Sequence, residues 1–530
     1  MMRNMKRLRN IIGCLCLLAT GIWGCMDDKG NYDYDFEGVM ELEIDTVGMD
    51  QTLFWITYWN RGETVRIEGF KVKYDKPENL VYRWLLMDYP YQMVTEGNSQ
   101  VYPPADTIGT SLDLEYVVDL DAGKNYQVWL LVKDTVNGVS SYMRAHTNNY
   151  ITVPEAGALT GVFCLQEKEG RVDINVFGTP LSLIFTDTIH RDYWSSSHPE
   201  RPLNGKAKAI YYSSTGKWFY VFTDEEGFRC SPAGLTIMET WNEMFYTAPA
   251  YDPEAFVCVN NCDFLINAGK LHCLYVDAAG DRKFPASISG DYNLAPFLAT
   301  ETRTTYRPVT GAINAYQVVY DTEQNGFRPF FYRAIRLSQF SMPAPEAPFN
   351  VNKLVGELIY TATVNGGETM AIMKRDGEYW MDVACFYNVV DDGKLARRSL
   401  SLAGCPDFDK ASRLLASNGG STLFYTVGST LYSFNYTTGQ TDAVKLWQGN
   451  SDEEITCMEV IPTGGFPVGG RVLWIAVWNK QTEEGRILEF EFSPTTGRIE
   501  DMWGPMFGAE GGSPYVHEGF GKVVSMTVVM

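Results

Sequence analysis

Apolar and polar positions alternate in short runs along most of the chain. Leu112, Leu114, Tyr116 and Val118 fall on one face of an extended segment, and Tyr126, Val128, Leu130 and Val132 on one face of the next. A period of two predicts half-buried strands, because successive side chains of a strand point to opposite sides. The intervening Asp119-Leu120-Asp121-Ala122-Gly123-Lys124-Asn125 reads as a turn. A further strand carries Tyr82 and Trp84. Turn signals at this spacing predict an immunoglobulin-like sandwich over residues 39–155. Pro154 and Gly157, within Thr147–Leu159, suit its end.

Over residues 156–530 the pattern becomes one of repeated hairpins. Leu423–Phe434, Trp218–Arg229, Phe264–Tyr275, Ala371–Trp380 and Leu473–Phe492 each join two apolar strands through a polar turn containing Gly. They recur at roughly the 40 to 50 residues that mark the blades of a β-propeller. About 370 residues hold seven blades with long loops, and eight also fit. The strand Lys522–Val529 has no local partner, and in a propeller it closes the ring by joining the first blade near Gly161 to Gln166. Stacked sandwiches are the alternative. Helix signals are scarce, Asp409–Ser417 being the best short candidate. The fold class expected is therefore all-β, a sandwich followed by a seven-bladed propeller.

The first residues change the picture of where the chain sits. Arg3, Lys6, Arg7 and Arg9 precede the apolar run 11–24, too short for the roughly 20 residues that span a bilayer. This is the pattern of a secretory signal, residues 1–24. It ends at Ile22-Trp23-Gly24-Cys25, similar to a bacterial lipobox whose cysteine receives diacylglycerol. Cys25 is the expected lipidation site, residues 25–38 the tether, and a lipid anchor rather than a membrane span the expected attachment. Asp27 and Asp28 just behind Cys25 resemble a surface-export signal. Lys and Arg number 44 against 65 Asp and Glu, a net charge of -21. Loss of residues 1–24 leaves 40 against 65, or -25. Such a balance excludes a nucleic-acid binder, which needs a basic face for phosphates.

These features together resemble the PKD-like lipoproteins of Bacteroides-type bacteria. The likeness rests on the Cys25-Met26-Asp27-Asp28-Lys29-Gly30-Asn31-Tyr32 start, Tyr82-x-Trp84, Gly123-x-x-Tyr126-x-Val128, Gly161–Phe177 and Gly519-Phe520-Gly521-Lys522-Val523-Val524. The motifs are structural and none is catalytic. The resemblance implies an outer-membrane lipoprotein, facing the cell exterior, in a nutrient-uptake locus. Its implied partners are a TonB-dependent transporter and that transporter's lid lipoprotein.

Chemistry-bearing motifs are few. Eight cysteines follow Cys25, the tightest set being Cys258, Cys262 and His272-Cys273. Zinc is one use for such a set, but the spacing is unfamiliar and the cysteines sit in apolar strands, so core packing or a disulfide is the expected role. No H-E-x-x-H, G-x-S-x-G or G-x-x-x-x-G-K-[ST] occurs. Asp376-Gly377 and Asp224–Gly227 read as hairpin turns, and Asp119 and Asp121 as a turn rather than a calcium site. No catalytic residue, metal or cofactor is expected, and the chain is not expected to be an enzyme. The remaining lead is aromatic. Tyr193 and Trp194 lie in the loop His190–Gly205, Trp241 follows a hairpin, and Trp503 and Tyr515 lie in Ile499–Tyr515. Strand alternation does not account for loop aromatics, so these five are the expected ligand-binding residues, with packing at blade junctions as the other use of them. The expected function is capture of a glycan or peptide for the transporter. A structural adaptor and a propeller hydrolase are the alternatives.

Overall fold

The computed structural model describes residues 41–45, 59, 61–91, 94–96, 99–101, 104–144, 151–153, 159–178, 189–276, 282–301, 305–306, 313–387, 390–391, 394–417, 419–437, 439, 441–460, 469–499 and 514–529. Cys25, the tether and Trp503 lie outside them. Among the described residues the structure is all-β, and no helix is long and apolar enough to cross a membrane.

Residues 59–153 contribute one core. Leu80–Asp88 pairs antiparallel with Asn125–Asp134, Leu80 opposite Asp134 and Asp88 opposite Tyr126. Asp106–Gly109 and Ser140–Arg144 extend this sheet on either side. Thr64–Ile67 pairs with Leu114–Val117 in a second sheet. Val65, Ile67 and Leu114 of the second sheet pack on Trp84, Val128 and Leu130 of the first. The alternation seen in the sequence is thus the inner face of a sandwich. Trp84 is buried, its Nε1 donating to the Ser111 carbonyl at 3.0 Å. In the turn, Asp119 pairs with Arg61 at 3.1 Å and Asp121 with Lys124 at 2.6 Å.

From Gly161 onward the described residues form seven sheets of three or four strands in chain order, antiparallel except for one two-residue pairing in the fourth. Sheet I comprises Gly161–Lys168, Arg171–Phe177 and Lys522–Val529; sheets II to VII cover 207–240, 253–275, 305–331, 357–401, 413–448 and 453–520. The short strand Val390–Asp391 pairs with Thr305–Tyr306 of sheet IV.

The central strands explain their own composition. In Trp218–Thr223 every residue is buried. Phe219 and Val221 pack towards sheet I, whereas Trp218, Tyr220 and Phe222 pack towards sheet III. A strand covered on both faces needs an unbroken apolar run, not alternation. The same division holds for Phe264 against Leu265, for Leu423 against Phe424, and for Trp474 against Ile475.

The interfaces form a cycle. Cores join I to II through Phe163 and Val221, II to III through Phe222 and Leu265, and III to IV through Phe264 and Val319. Others join IV to V through Phe327 and Met373, V to VI through Ile372 and Leu423, and VI to VII through Phe424 and Ile475. The last returns from Trp474 of sheet VII to Val162 of sheet I. Lys522–Val529 pairs with Gly161–Lys168, Val529 opposite Gly161, as the unpaired terminal strand of the sequence predicted. Gly521 allows the approach: a Cβ there would lie 2.4 Å from the Glu167 carbonyl.

One expectation is corrected. Asp409–Ser417 is not a helix. A single 3-10 turn at Phe408–Lys410 leads into the strand Arg413–Ala416, which pairs with 423–426 of the neighbouring strand. Strand pairing outweighs local helix propensity there. Conversely, the stretch read as the loop His190–Gly205 contains the short helix Tyr193–Ser197.

Connections divide unequally between the two ends of the sheets. The central hairpins turn at 169–170, 224–226, 268–269, 322–325, 376–377, 428–429 and 480–483, all tight. At the opposite end the strands are joined over longer separations along the chain, between Cys385 and Ala396, Asn435 and Val444, Val460 and Val472, and Glu491 and Tyr515. Hydrogen bonds across sheets, Asn260 Nδ2 to the Tyr316 carbonyl and Asn435 Nδ2 to the Thr495 carbonyl, keep those ends side by side. Long connections on a rigid scaffold are where binding residues concentrate.

Candidate ligand-binding face

On this loop-rich face, three tyrosines from sheets III and IV meet. Asn260 and Asn261, both left-handed (φ 53° and 59°), make the two-residue turn into Cys262–Asn267. Tyr275 ends the strand Lys270–Tyr275, Tyr316 lies in Ile313–Asp321, and Tyr332 follows Gly326–Phe331. The Tyr332 ring stacks on Tyr316 at 4.7 Å and meets Tyr275 edge-on at 5.1 Å. Arg333 donates its backbone N–H to the Tyr275 hydroxyl at 3.0 Å and holds its guanidinium 4.9 Å from the centre of the Tyr332 ring. Tyr332 is 46% exposed; Tyr275 and Tyr316 are half-buried beneath it. Burial pushes the Tyr275 and Tyr316 hydroxyls up, so both stay neutral. The result is an exposed aromatic face whose rotamer is fixed from below, flanked by a cation. Such a surface binds a ring with an apolar face and a polar edge at low entropic cost.

A second feature lies inside the cycle. Glu459 is the last residue but one of the strand Glu453–Val460 of sheet VII and accepts the Val460 N–H at 3.2 Å. Burial raises its carboxyl to about 7. Tyr211 of sheet II is pushed up to about 12 by burial and then by the charge of Glu459. Tyr360 of sheet V is raised by the same two causes and accepts the Ala416 N–H at 3.0 Å. All three retain partial solvent access. The charge of Glu459 on sheet VII thus acts on tyrosines of sheets II and V.

The sign of the pH effect follows. An unfolded Glu titrates near 4.5, so between that pH and about 7 the folded chain holds a proton that the unfolded chain has lost. Glu459 thus costs no stability below pH 4.5, and its cost is complete once pH passes about 7. Glu459→Gln should be more stable than the parent by about 1–3 kcal/mol at pH 8 and equal to it at pH 4.5, read from urea midpoints. Equal midpoints at both pH values would remove this carboxyl from the interior.

The aromatic residues expected from sequence are placed differently. Trp194 is 0% exposed. Asp173 accepts the backbone N–H groups of Trp194 and Ser195 at 3.1 and 3.3 Å and also the Ser195 hydroxyl. This holds the start of the short helix and turns the indole inward, where it stacks on His198 at 4.4 Å and donates to the Arg201 carbonyl at 2.9 Å. Trp241 is 7% exposed, edge-on to Tyr251 at 4.9 Å, with its Nε1 donating to the Pro249 carbonyl at 3.0 Å. Neither presents a face to a ligand, so the expectation of exposure is corrected for both. Tyr193 and Tyr515 are half-buried against separate cores, I–II and VII–I. Tyr275, Tyr316 and Tyr332 were missed; the signal available was the run Phe330-Phe331-Tyr332-Arg333, whose aromatics continue past the strand.

All eight described cysteines are free thiols. Cys258 donates to Thr215 Oγ1 at 3.4 Å, and His272 is buried with Nδ1 3.1 Å from the Pro285 carbonyl. Among the described residues no three metal-ligating groups converge.

Residues 25–217 match the model of the PKD-like family. The match runs past the boundary expected at 155 and takes in Gly161–Phe177 and the first strand of sheet II. No curated protein matches the chain. Among solved structures the chain is similar to a quinonprotein alcohol dehydrogenase-like protein from Bacteroides thetaiotaomicron, at 11% identity over 88% of this chain and 96% of that one, with a TM-score of 0.37. It is also similar to a protein from Lactobacillus plantarum, at 13% identity over 70% and 100%, TM-score 0.41. A third is the dihydro-heme d1 dehydrogenase NirN, at 10% identity over 85% and 75%, TM-score 0.32. Likenesses this distant say nothing about activity.

Proposed function

We propose that the chain is a surface-exposed outer-membrane lipoprotein, anchored through Cys25, that captures a glycan or peptide for a TonB-dependent uptake complex. In this reading the seven sheets are the blades of a seven-bladed β-propeller, and residues 39–155 are an immunoglobulin-like spacer. The observation that carries it is the exposed, pre-ordered Tyr332 face with Arg333 beside it on the loop-rich end. The cycle of seven cores supports the propeller, and the signal-like residues 1–24 support the anchor.

The test uses residues 26–530, screened against glycan and peptide pools by thermal shift and then calorimetry. Tyr332→Ala should weaken the best ligand at least tenfold, the loss of about 1.4 kcal/mol or more of stacking. A ligand whose affinity ignores Tyr332→Ala would contradict this site. The adaptor reading has one observation of its own, the apolar Ile335 and Met342, 73% and 79% exposed on the same segment. Absence of any ligand, with a transporter co-purifying from detergent-solubilised membranes, would favour it.

A further inference from the structure

A cavity of about 490 Å³ opens on the same face, between sheets V and VI. It is lined by Gly366, Glu368, Cys385, Arg397, Arg398, Ser421 and Thr437. Glu368 is fully engaged: Oε1 accepts Arg398 Nη2 at 3.1 Å, and Oε2 accepts the Tyr436 hydroxyl at 3.0 Å. The Arg398 guanidinium also lies 5.4 Å from the centre of the Tyr436 ring. Arg398 is thus held from one side, and most of its N–H donors are left for a ligand. Arg397 is exposed, and no hydrogen bond or ion pair joins it to another described residue. Among the described residues the wall therefore carries two guanidinium groups against one carboxylate, with the Ser421 hydroxyl beside them, while the Thr437 hydroxyl donates to Asn435 Oδ1 at 3.0 Å. A Cβ on Gly366 would meet nothing within 4 Å, so the turn leaves open space there.

We propose that this cavity binds the oxyanion of an acidic sugar unit, a carboxylate or a sulfate ester, within the captured glycan. The proposal rests on the capture reading above and narrows its ligand class. A chain of net charge -21 repels an anionic polymer over most of its surface, so binding requires local cations that its own acids leave uncovered. Arg397 supplies one. Planar guanidinium groups match carboxylate and sulfate oxygens with paired, charge-assisted hydrogen bonds. A cavity of this volume takes one or two sugar units. Only the interface between sheets IV and V separates it from the one that carries Tyr332.

The test is calorimetry on residues 26–530 with trigalacturonic acid, its methyl ester, galactobiose 6-sulfate and galactobiose. At least one acidic probe should bind tenfold or more tightly than its neutral counterpart, and added salt should weaken that probe alone. Methyl esterification reports on the carboxylate and desulfation on the sulfate. Arg397→Gln should abolish the acidic preference with the melting temperature unchanged, and Arg397→Lys should keep part of it. Equal binding of acidic and neutral probes, or an acidic preference untouched by Arg397→Gln, would overturn the proposal. If the neutral probes bind and depend on Tyr332 while acidity makes no difference, the acidic subsite fails and the capture reading stands. If none of the four probes binds, the acidic subsite fails, and the capture reading is decided by the glycan and peptide screen.

Discussion

Removing residues 522–530 abolishes the cooperative unfolding transition of the seven sheets. Lys522–Val529 is the strand through which sheet I is completed, and it supplies buried Val523, Met526 and Val529 to the cores on either side. At about 1.5–3 kcal/mol for each buried side chain, these three alone approach the roughly 5–15 kcal/mol by which a domain is stable. The truncation also exposes the unpaired edge of Gly161–Lys168 and the Val162, Cys164 and Phe177 face that meets Trp474. Circular dichroism melting and limited proteolysis read the loss. A synthetic 522–530 peptide added in trans should restore part of the transition. A truncated chain that melts cooperatively within a few degrees of the parent would mean that the cycle of sheets does not depend on this closure.

Asp263→Ala is the largest single-residue effect expected. Asp263 is buried in Cys262–Asn267 and accepts the Ser213 hydroxyl at 2.6 Å, Trp218 Nε1 at 3.0 Å and the Tyr220 hydroxyl at 2.8 Å. All three donors belong to sheet II, so one carboxyl ties sheet II to sheet III. Burial raises its pKa, while the hydrogen bonds from Ser213 and Tyr220 act in the other direction. Alanine leaves three buried donors without acceptors, at about 1–3 kcal/mol each, partly relieved by repacking. A loss of about 3–5 kcal/mol is expected from urea unfolding, and Asp263→Asn should fall between, because its amide oxygen replaces only part of the acceptor. A loss below 1 kcal/mol would show that the network contributes little to the interface.

The sequence was readable where the signal is local. Five hairpins were visible because a strand buried on both faces must be apolar throughout, as in Trp218–Thr223 and Val472–Asn479. The partner of Lys522–Val529 was visible because no nearby segment could pair with it. The helix Tyr193–Ser197 was not, since the acid that holds its first turn, Asp173, lies about twenty residues upstream on another strand. That same contact buries Trp194, which a loop reading leaves exposed. Tyr275 and Tyr316 come from strands of two sheets and Tyr332 from just past a third strand, and no spacing along the chain announces their meeting. Sites assembled by tertiary packing leave only a weak local trace, here the aromatic run that ends in Tyr332-Arg333.

The central claim is that ligand is held on the loop-rich end of the cycle, over Tyr332. Hydrogen exchange on residues 26–530, with and without the tightest ligand from the glycan and peptide screen, tests it most directly. Slowed exchange is predicted at 258–262, 275–276 and 330–336, with the tight turns 169–170, 268–269 and 428–429 unchanged. Protection confined to those turns, or to residues 61–144, would contradict the account.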